Sequence, residues 1–468
     1  MRCVGDFATP SGALAPPGPP KMGVVEKTNS RFAFSTTPRH PGASTSATLP
    51  PGASPRPVWL PCYGHAMRYW DAVLAFVVAM AVATALTPLA ARFARRVGAL
   101  AMPSERGLAT RTTPLLGGLA ILAGVLVAAA IWMPDTIRLP RTPHTTHSGG
   151  TVDTWTVLAG AILIAIVGAV DDARDLPPLA KLAGQVAAAL LAVEAGVKVT
   201  DITLPFIGAL QFPNAGGALS VIWLVGLMNV VNFSDGVDGL AAGLCTIDGI
   251  AFSIIAFDLH VGAAGILAAL TAGASLGFLF YNFHPASVFM GDSGANLLGY
   301  LLGVAAVIGS LKTNAVVALV VPLFILAVPF LDTSFVVAKR LKYRRKPWAA
   351  DANHFHHRMA RIGFSERKTV AYLYAWSLLL AGVAVALRYI PYHHHNPAYF
   401  RLGWTIAMVV IVLIALAASV YLIYVLEILK FKSRRSSEIR EAEPGTSEHE
   451  IDERVRRDVE TGEFERVG

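Results

Sequence analysis

The chain has 468 residues, 54% of them hydrophobic and 15% charged, whereas soluble domains carry closer to ~25% charged residues. A water-soluble globular protein is excluded, because the apolar residues gather in blocks of roughly 20, the length that crosses a bilayer core. The net charge of +8 fits basic loops on one side of a membrane better than nucleic-acid binding, and Cys3, Cys62 and Cys245 form neither a zinc ribbon nor a disulfide framework.

Residues 1–66 are rich in Pro, Gly, Ser and Thr, show no periodicity and are expected to be disordered. Two readings stay open: a genuine unstructured tail, or translation starting at Met67, just before the first span. Eleven spans are predicted, at 71–91, 115–133, 154–170, 179–197, 216–233, 239–257, 261–281, 294–311, 314–338, 369–388 and 403–429, so the fold class is an all-α polytopic membrane protein. The fourth is the least membrane-like, since it holds Lys181, Gln185 and Glu194. The membrane domain is placed at 67–430, and residues 431–468 read as a charged, solvated tail.

Orientation follows from Lys and Arg alone. The loop after the first span holds Arg92, Arg95, Arg96, Arg106 and Arg111; "KRLKYRRKP" follows the ninth span and "KFKSRR" the eleventh. With eleven spans these segments share one side, expected to be the cytoplasm, which puts the N-terminus outside and the C-terminus inside.

Four polar clusters then fall on that same side. "DDARD" carries Asp171 and Asp172; "NVVNFSDGVDGL" carries Asn229, Asn232, Asp235 and Asp238; "NFHPASVFMGDSGAN" carries Asn282, Phe289 and Asp292; "DANHFHHRM" carries His354, His356, His357 and Arg358. Each has a plainer reading: a solvated helix end, a polar cap with a glycine turn, a capping aspartate, or a basic anion-binding loop, with zinc a weaker reading for the histidines. Yet paired carboxylates suit a divalent cation, steps of three place Asn229, Asn232, Asp235 and Asp238 on one helix face, and ionisable groups at membrane depth are expensive and usually functional. Their convergence on one side, found without using acidic residues to orient the chain, predicts one cytoplasm-facing site built by several helices. A cation-coupled transporter is the rival class, but the acids sit at span ends and no internal repeat is visible.

In this order, "DDARDLPPLAK", "NVVNFSDGVDGLAAG", "NFHPASVFMGDSGANLLGY" and "PFLDT…KR…DANHFHHRM" resemble the polyprenyl-phosphate N-acetylhexosamine-1-phosphate transferases, glycosyl transferase family 4, over about residues 72–390. The resemblance implies a bacterial inner-membrane enzyme. It would transfer N-acetylhexosamine 1-phosphate, GlcNAc-1-phosphate above all, from a UDP-N-acetylhexosamine to undecaprenyl phosphate. UMP would be released and a lipid-linked envelope polysaccharide such as O-antigen begun. The branch that makes peptidoglycan precursors, using phospho-MurNAc-pentapeptide, is the alternative; its members typically carry three consecutive His, unlike the HxHH here. The implied cofactor is Mg2+, with Mn2+ able to substitute, and the implied partners are UDP-sugar, lipid phosphate and bilayer, with a homodimer compatible and no nucleic acid.

The resemblance also implies roles. Asp292 and Asn232 would bind the metal, and Asp171, Asp172, Asp235 and Asp238 would form the catalytic acids, the first two activating the lipid phosphate. Lys181 would neutralise that phosphate, with Asn229 also on the substrate side. Asn282 and Phe289, with Asp238, would recognise the nucleoside, and His354, His356, His357 and Arg358 would hold diphosphate or sugar. The first loop departs from the pattern: Ala109 replaces a common His and Leu115 a common Arg, although Thr113, Pro114, Gly117 and Gly118 keep its "TP..GG" core.

Overall fold

The computed structural model describes residues 69–102, 112–138, 151–199, 201–204, 208–211, 215–309, 365–389 and 402–443, with short pieces between 447 and 455. All of these fall in one compact unit, His65–Gly468. Among the described residues the helices are α1 (Tyr69–Val97), α2 (Gly117–Trp132), α3 (Thr154–Arg174), α4 (Pro178–Glu194), α5 (Gly216–Ser234), α6 (Leu240–Asp258), α7 (Gly262–Asn282), α8 (Gly291–Gly309), α9 (Glu366–Tyr389) and α10 (Leu402–Ala442). Three two-stranded antiparallel hairpins join them: β1 (Leu100–Ala101) with β2 (Thr113–Pro114), β3 (Thr136–Arg138) with β4 (Thr151–Asp153), and β5 (Asp201–Leu204) with β6 (Gly208–Gln211).

The all-α polytopic class holds. Seven helices (α1, α3, α5, α6, α7, α8 and residues Glu366–Ala386 of α9) are long and apolar enough to cross a membrane, and α2 is a shorter apolar helix. The span expected at 314–338 and the segments 1–66 and 354–358 lie outside the described residues. Span four is a helix of 17 residues. The eleventh span and the start of the charged tail form one continuous helix, α10, of 41 residues.

Why these helices pack is visible in α1. Its buried positions are Ala72, Ala75, Ala79, Ala83, Thr87, Ala90, Ala91 and Ala94, recurring every three or four residues along one face. Val73, Leu74, Val77, Leu89 and Phe93 point outward. Small residues inside and large ones outside invert the soluble pattern. In lipid the apolar surface gains little from hiding, so close backbone approach decides which face is buried. α1 lies against α2 and α7, α6 against α7 and α9, and α8 against α2, α3, α5, α6 and α7. Accordingly 89% of the apolar window of α8 is buried, and a helix buried all round belongs to the core. Tyr300 on α8 donates from its hydroxyl to Val157 O on α3 at 3.0 Å.

The two ends of the bundle differ. At one end the β3–β4 hairpin, the N-terminus of α3 and the C-terminus of α4 meet, with Asp153 N–H donating to Ala195 O at 2.8 Å. Asp153 caps α3 there by accepting from Thr156 N–H at 3.1 Å, and the Thr156 hydrogen bonds hold its carboxyl below the usual range. At the other end meet the C-termini of α3, α5 and α7 and the N-termini of α2, α4, α6 and α8, and this end carries the three described polar clusters.

The start of α8 is wedged tightly at that end. A Cβ on Gly168 of α3 would fall 2.4 Å from Ser293 N and 2.4 Å from Ser293 Cα, a backbone that cannot yield. Gly168→Ala is therefore expected to cost about 1–3 kcal/mol by overpacking and to lower the unfolding temperature in detergent by several degrees. Gly226→Ala, whose Cβ meets nothing within 4 Å, serves as the control; equal unfolding temperatures for the two variants would contradict this packing.

Candidate active site

The first turn of an α-helix leaves its N–H groups without intrahelical partners. In α8 a different helix supplies them. The Asp172 carboxylate, near the end of α3, accepts from Asp292 N–H at 2.7 Å through Oδ1 and from Ser293 N–H at 3.2 Å through Oδ2. A Cβ on Gly291, whose φ is +70°, would lie 2.3 Å from Asp172 Oδ2, so this left-handed glycine is what lets the carboxylate close on the turn.

The capped turn presents the Asp292 side chain. Lys181 Nζ donates to Asp292 Oδ2 and lies 3.2 Å from Asp171 Oδ2, while Asn232 Nδ2 donates to Asp292 Oδ1 at 2.6 Å. Asp171 is fixed from its other oxygen by Leu176 N–H at 2.7 Å. Beneath lies a chain of amides. Asn229 donates to Gln185 Oε1 at 2.9 Å, Gln185 to Asn296 Oδ1 at 2.8 Å, and Asn296 to Asp292 O at 2.8 Å. Gln185 and Asn296 are each 1% exposed, so this chain ties α4, α5 and α8 together inside the bundle.

Above the turn opens a cavity of about 360 Å3 lined by Ala101, Met102, Leu115, Asp172, Asn232, Asp235, Gly236, Val237, Asp238, Asn282, Phe289, Gly291 and Asp292, within the range of small-molecule sites. Asp235 ends α5 in its wall. Although partly open to the cavity, its carboxyl is ringed by protein; burial foremost, then the charges of Asp172 and Asp238, push it up to about 7. Among the described residues, Lys181 and His284 are the basic groups paired with the acids of this end. The cavity therefore carries a surplus of hard oxygen donors and negative charge.

The remaining predicted residues divide by what they touch. Asn282 is buried, accepting from Gly239 N–H at 3.0 Å and donating to Val288 O at 3.0 Å; it fixes the loop after α7 as well as facing the cavity. Phe289 is held through its backbone, donating to Pro114 O at 2.9 Å and accepting from Gly117 N–H at 3.0 Å. This explains the "TP..GG" core: it is paired to the loop that leads into α8. Asp238 accepts from Ala286 N–H at 2.8 Å and lies 3.0 Å from His284 Nδ1. Asn229 sits below the cavity in the amide chain. His354, His356, His357 and Arg358 lie outside the described residues. Sequence reasoning missed Gln185 and Asn296 as members of the site. Their signal was the spacing: each follows a charged site residue, Lys181 or Asp292, by four positions on one helix face.

Comparison with known proteins is consistent with this geometry. Residues 154–310 match the model of glycosyl transferase family 4. A Bacillus subtilis protein described as "Probable undecaprenyl-phosphate N-acetylglucosaminyl 1-phosphate transferase" is 32% identical over 325 residues, 68% of this chain and 85% of the relative. The decaprenyl-phosphate N-acetylglucosaminephosphotransferase of Mycolicibacterium smegmatis is 36% identical over 320 residues, 63% of this chain and 77% of the relative. The phospho-N-acetylmuramoyl-pentapeptide-transferase of Desulforamulus reducens is 32% identical over 331 residues, 67% and 93% respectively.

The amide chain makes a specific prediction about stability. Gln185→Leu leaves a buried acceptor on Asn296 without its donor and is expected to cost about 1–3 kcal/mol. Gln185→Leu combined with Asn296→Leu should cost less than the sum of the two singles, because partners in one network are not additive. Denaturant unfolding in detergent measures both; strict additivity would dissolve the network.

Proposed function

The chain belongs to glycosyl transferase family 4, and on that premise we propose that it transfers N-acetylglucosamine 1-phosphate from UDP-N-acetylglucosamine to a polyprenyl phosphate at the cytoplasmic face of a bacterial inner membrane. It is a multi-pass membrane phosphotransferase. In the proposed reaction an oxygen of the lipid phosphate attacks the phosphorus bearing the sugar. The bond to the uridine-bearing phosphate breaks, UMP departs, and a lipid-linked diphosphate sugar remains, available to begin an envelope polysaccharide. The observation that carries this reading is the single capped turn of α8, where Asp292 meets Lys181 and Asn232 at a cavity mouth built from helix ends.

Phosphoryl transfer asks a protein for positioning and charge neutralisation more than for covalent chemistry. Asp292, with the Asp235 carboxylate and the Asn232 amide oxygen, fits a hard divalent cation such as Mg2+, which takes a few carboxylates and completes its shell with water and substrate phosphates. When bound, that ion would neutralise the diphosphate. The raised proton affinity of Asp235 comes first from burial and then from the neighbouring charges of Asp172 and Asp238. Asp172 acts as a positioning residue, since both its oxygens already hold the α8 turn. Lys181, shared between Asp171 and Asp292, stands where a lipid phosphate approaching the acid pair would be met by a cation. Asp238 and Phe289 line the cavity on the side of the loop after α7, where a nucleoside would rest.

The test is purified protein with undecaprenyl phosphate, Mg2+ and either UDP-N-acetylglucosamine or UDP-MurNAc-pentapeptide, following UMP release. UMP is expected from UDP-N-acetylglucosamine only when lipid phosphate and Mg2+ are both present. Asp292→Ala should lower turnover by at least about 10²–10³-fold, as loss of a main electrostatic partner does. Turnover of the MurNAc substrate alone would move the chain to the other branch, and near-normal activity of Asp292→Ala at saturating Mg2+ would remove Asp292 from the cation site.

A further inference from the structure

Three side chains outside the α8 turn converge from distant parts of the chain: Asp238 between α5 and α6, His284 between α7 and α8, and Glu366 in the first turn of α9. His284 Nδ1 lies 3.0 Å from Asp238 Oδ2 and 2.8 Å from Glu366 Oε2, and one ligand atom from each residue falls within 4.8 Å of the others. The side chains are 32%, 18% and 22% exposed for His284, Asp238 and Glu366, sheltered but reachable. One ring nitrogen thus faces two carboxylates, and a single N–H cannot serve both in full. We infer that Asp238, His284 and Glu366 form a second cation site, separate from the Asp292 turn, that takes a borderline transition metal, Zn2+ first among them.

The donor set decides the metal. Mg2+ prefers oxygen ligands, whereas imidazole with carboxylates suits Zn2+. Zinc bonds of ~2.0–2.2 Å in tetrahedral array set ligand atoms roughly 3.3–3.5 Å apart. The spacings here, 2.8 and 3.0 Å with all within 4.8 Å, need shifts of at most about 1.5 Å to reach that. The Ala286 N–H already donates to Asp238 Oδ2 at 2.8 Å, a supporting contact of the kind that orients metal ligands. Three protein ligands leave a fourth position for water, so the ion is exchangeable. Because Asp238 also lines the cavity, an ion here would tie the first turn of α9 to the cavity wall.

The readout is binding and does not depend on the transferase reading. The full-length protein in detergent is dialysed against buffered Zn2+ in excess Mg2+, and bound zinc is measured. Wild type should retain one equivalent. His284→Gln and Glu366→Gln should each weaken retention by more than about tenfold, the least expected when even a supporting partner of a ligand is lost. Asp292→Asn and His356→Ala should leave it unchanged. X-ray absorption of the zinc-loaded wild type should show a single imidazole among oxygens, which tests the site even where a variant folds poorly. No zinc retained by wild type, unchanged retention in folded His284→Gln, loss of zinc in His356→Ala, or a shell of two or more imidazoles would each overturn the assignment.

Discussion

A carboxylate from one helix holds the first turn of another. Asp172 on α3 answers the free N–H groups of Asp292 and Ser293 on α8, a charge-assisted cap that the helix dipole reinforces. That contact fixes where the Asp292 carboxylate points, and Lys181, Asn232 and the cavity are arranged about it. Were Asp172 lost, the turn would present unpaired N–H groups at a half-buried surface, and the placement of the Asp292 carboxylate would loosen with it. The amide chain from Asn229 through Gln185 to Asn296 supports the same turn from below, ending on the carbonyl of Asp292. The start of α8 is thereby held at its N–H groups by α3 and at its carboxylate by α4 and α5, while Asn296 of α8 itself links the Asp292 carbonyl to the amide chain.

Such a cluster is tolerable in a membrane protein because of where it lies. Polar groups at the bilayer centre are costly, but the acids here occupy helix ends, and the amides further along α4, α5 and α8 are paired with one another. Helix α1 carries the contrary pattern, alanine at its contacts with large aliphatics facing outward, and glycines let the inner helices approach closely. Close approach of this kind brings Gly168 against the backbone of Ser293, and Asp172, four residues further along α3, reaches α8 as a result. Packing by small residues and placement of the acids are one arrangement.

The sequence carried the helices and the acids well, for physical reasons. Apolar blocks of membrane length are hard to disguise, and ten of the expected spans have a described helix at their place. The acids announced themselves by being out of place among apolar residues. What was not legible is what depends on backbone or on distant pairs. Asp172 reads as one of two equal carboxylates, yet Asp171 meets Lys181 and Leu176 N–H while Asp172 caps α8; no spacing distinguishes them. Asn282 looks like a recognition residue, and nothing in its spacing shows that its amide also bridges Gly239 and Val288 while it lines the cavity. Gln185 looks like a flaw in a weak span and turns out to be the middle of a network whose other members lie 44 and 111 positions away. His284 lies inside a motif and Glu366 in none, and only the fold brings them together.

We propose that one cavity at the α8 turn holds a divalent cation against Asp292 and Asp235. The most direct measurement is an anomalous-scattering map of the protein crystallised with Mn2+ and UDP-N-acetylglucosamine. A manganese peak is expected within coordination distance of Asp292, with the diphosphate of the nucleotide sugar completing its shell. A diphosphate bound in the cavity with no metal on Asp292, or a manganese peak held elsewhere while the nucleotide sugar occupies this cavity, would contradict it.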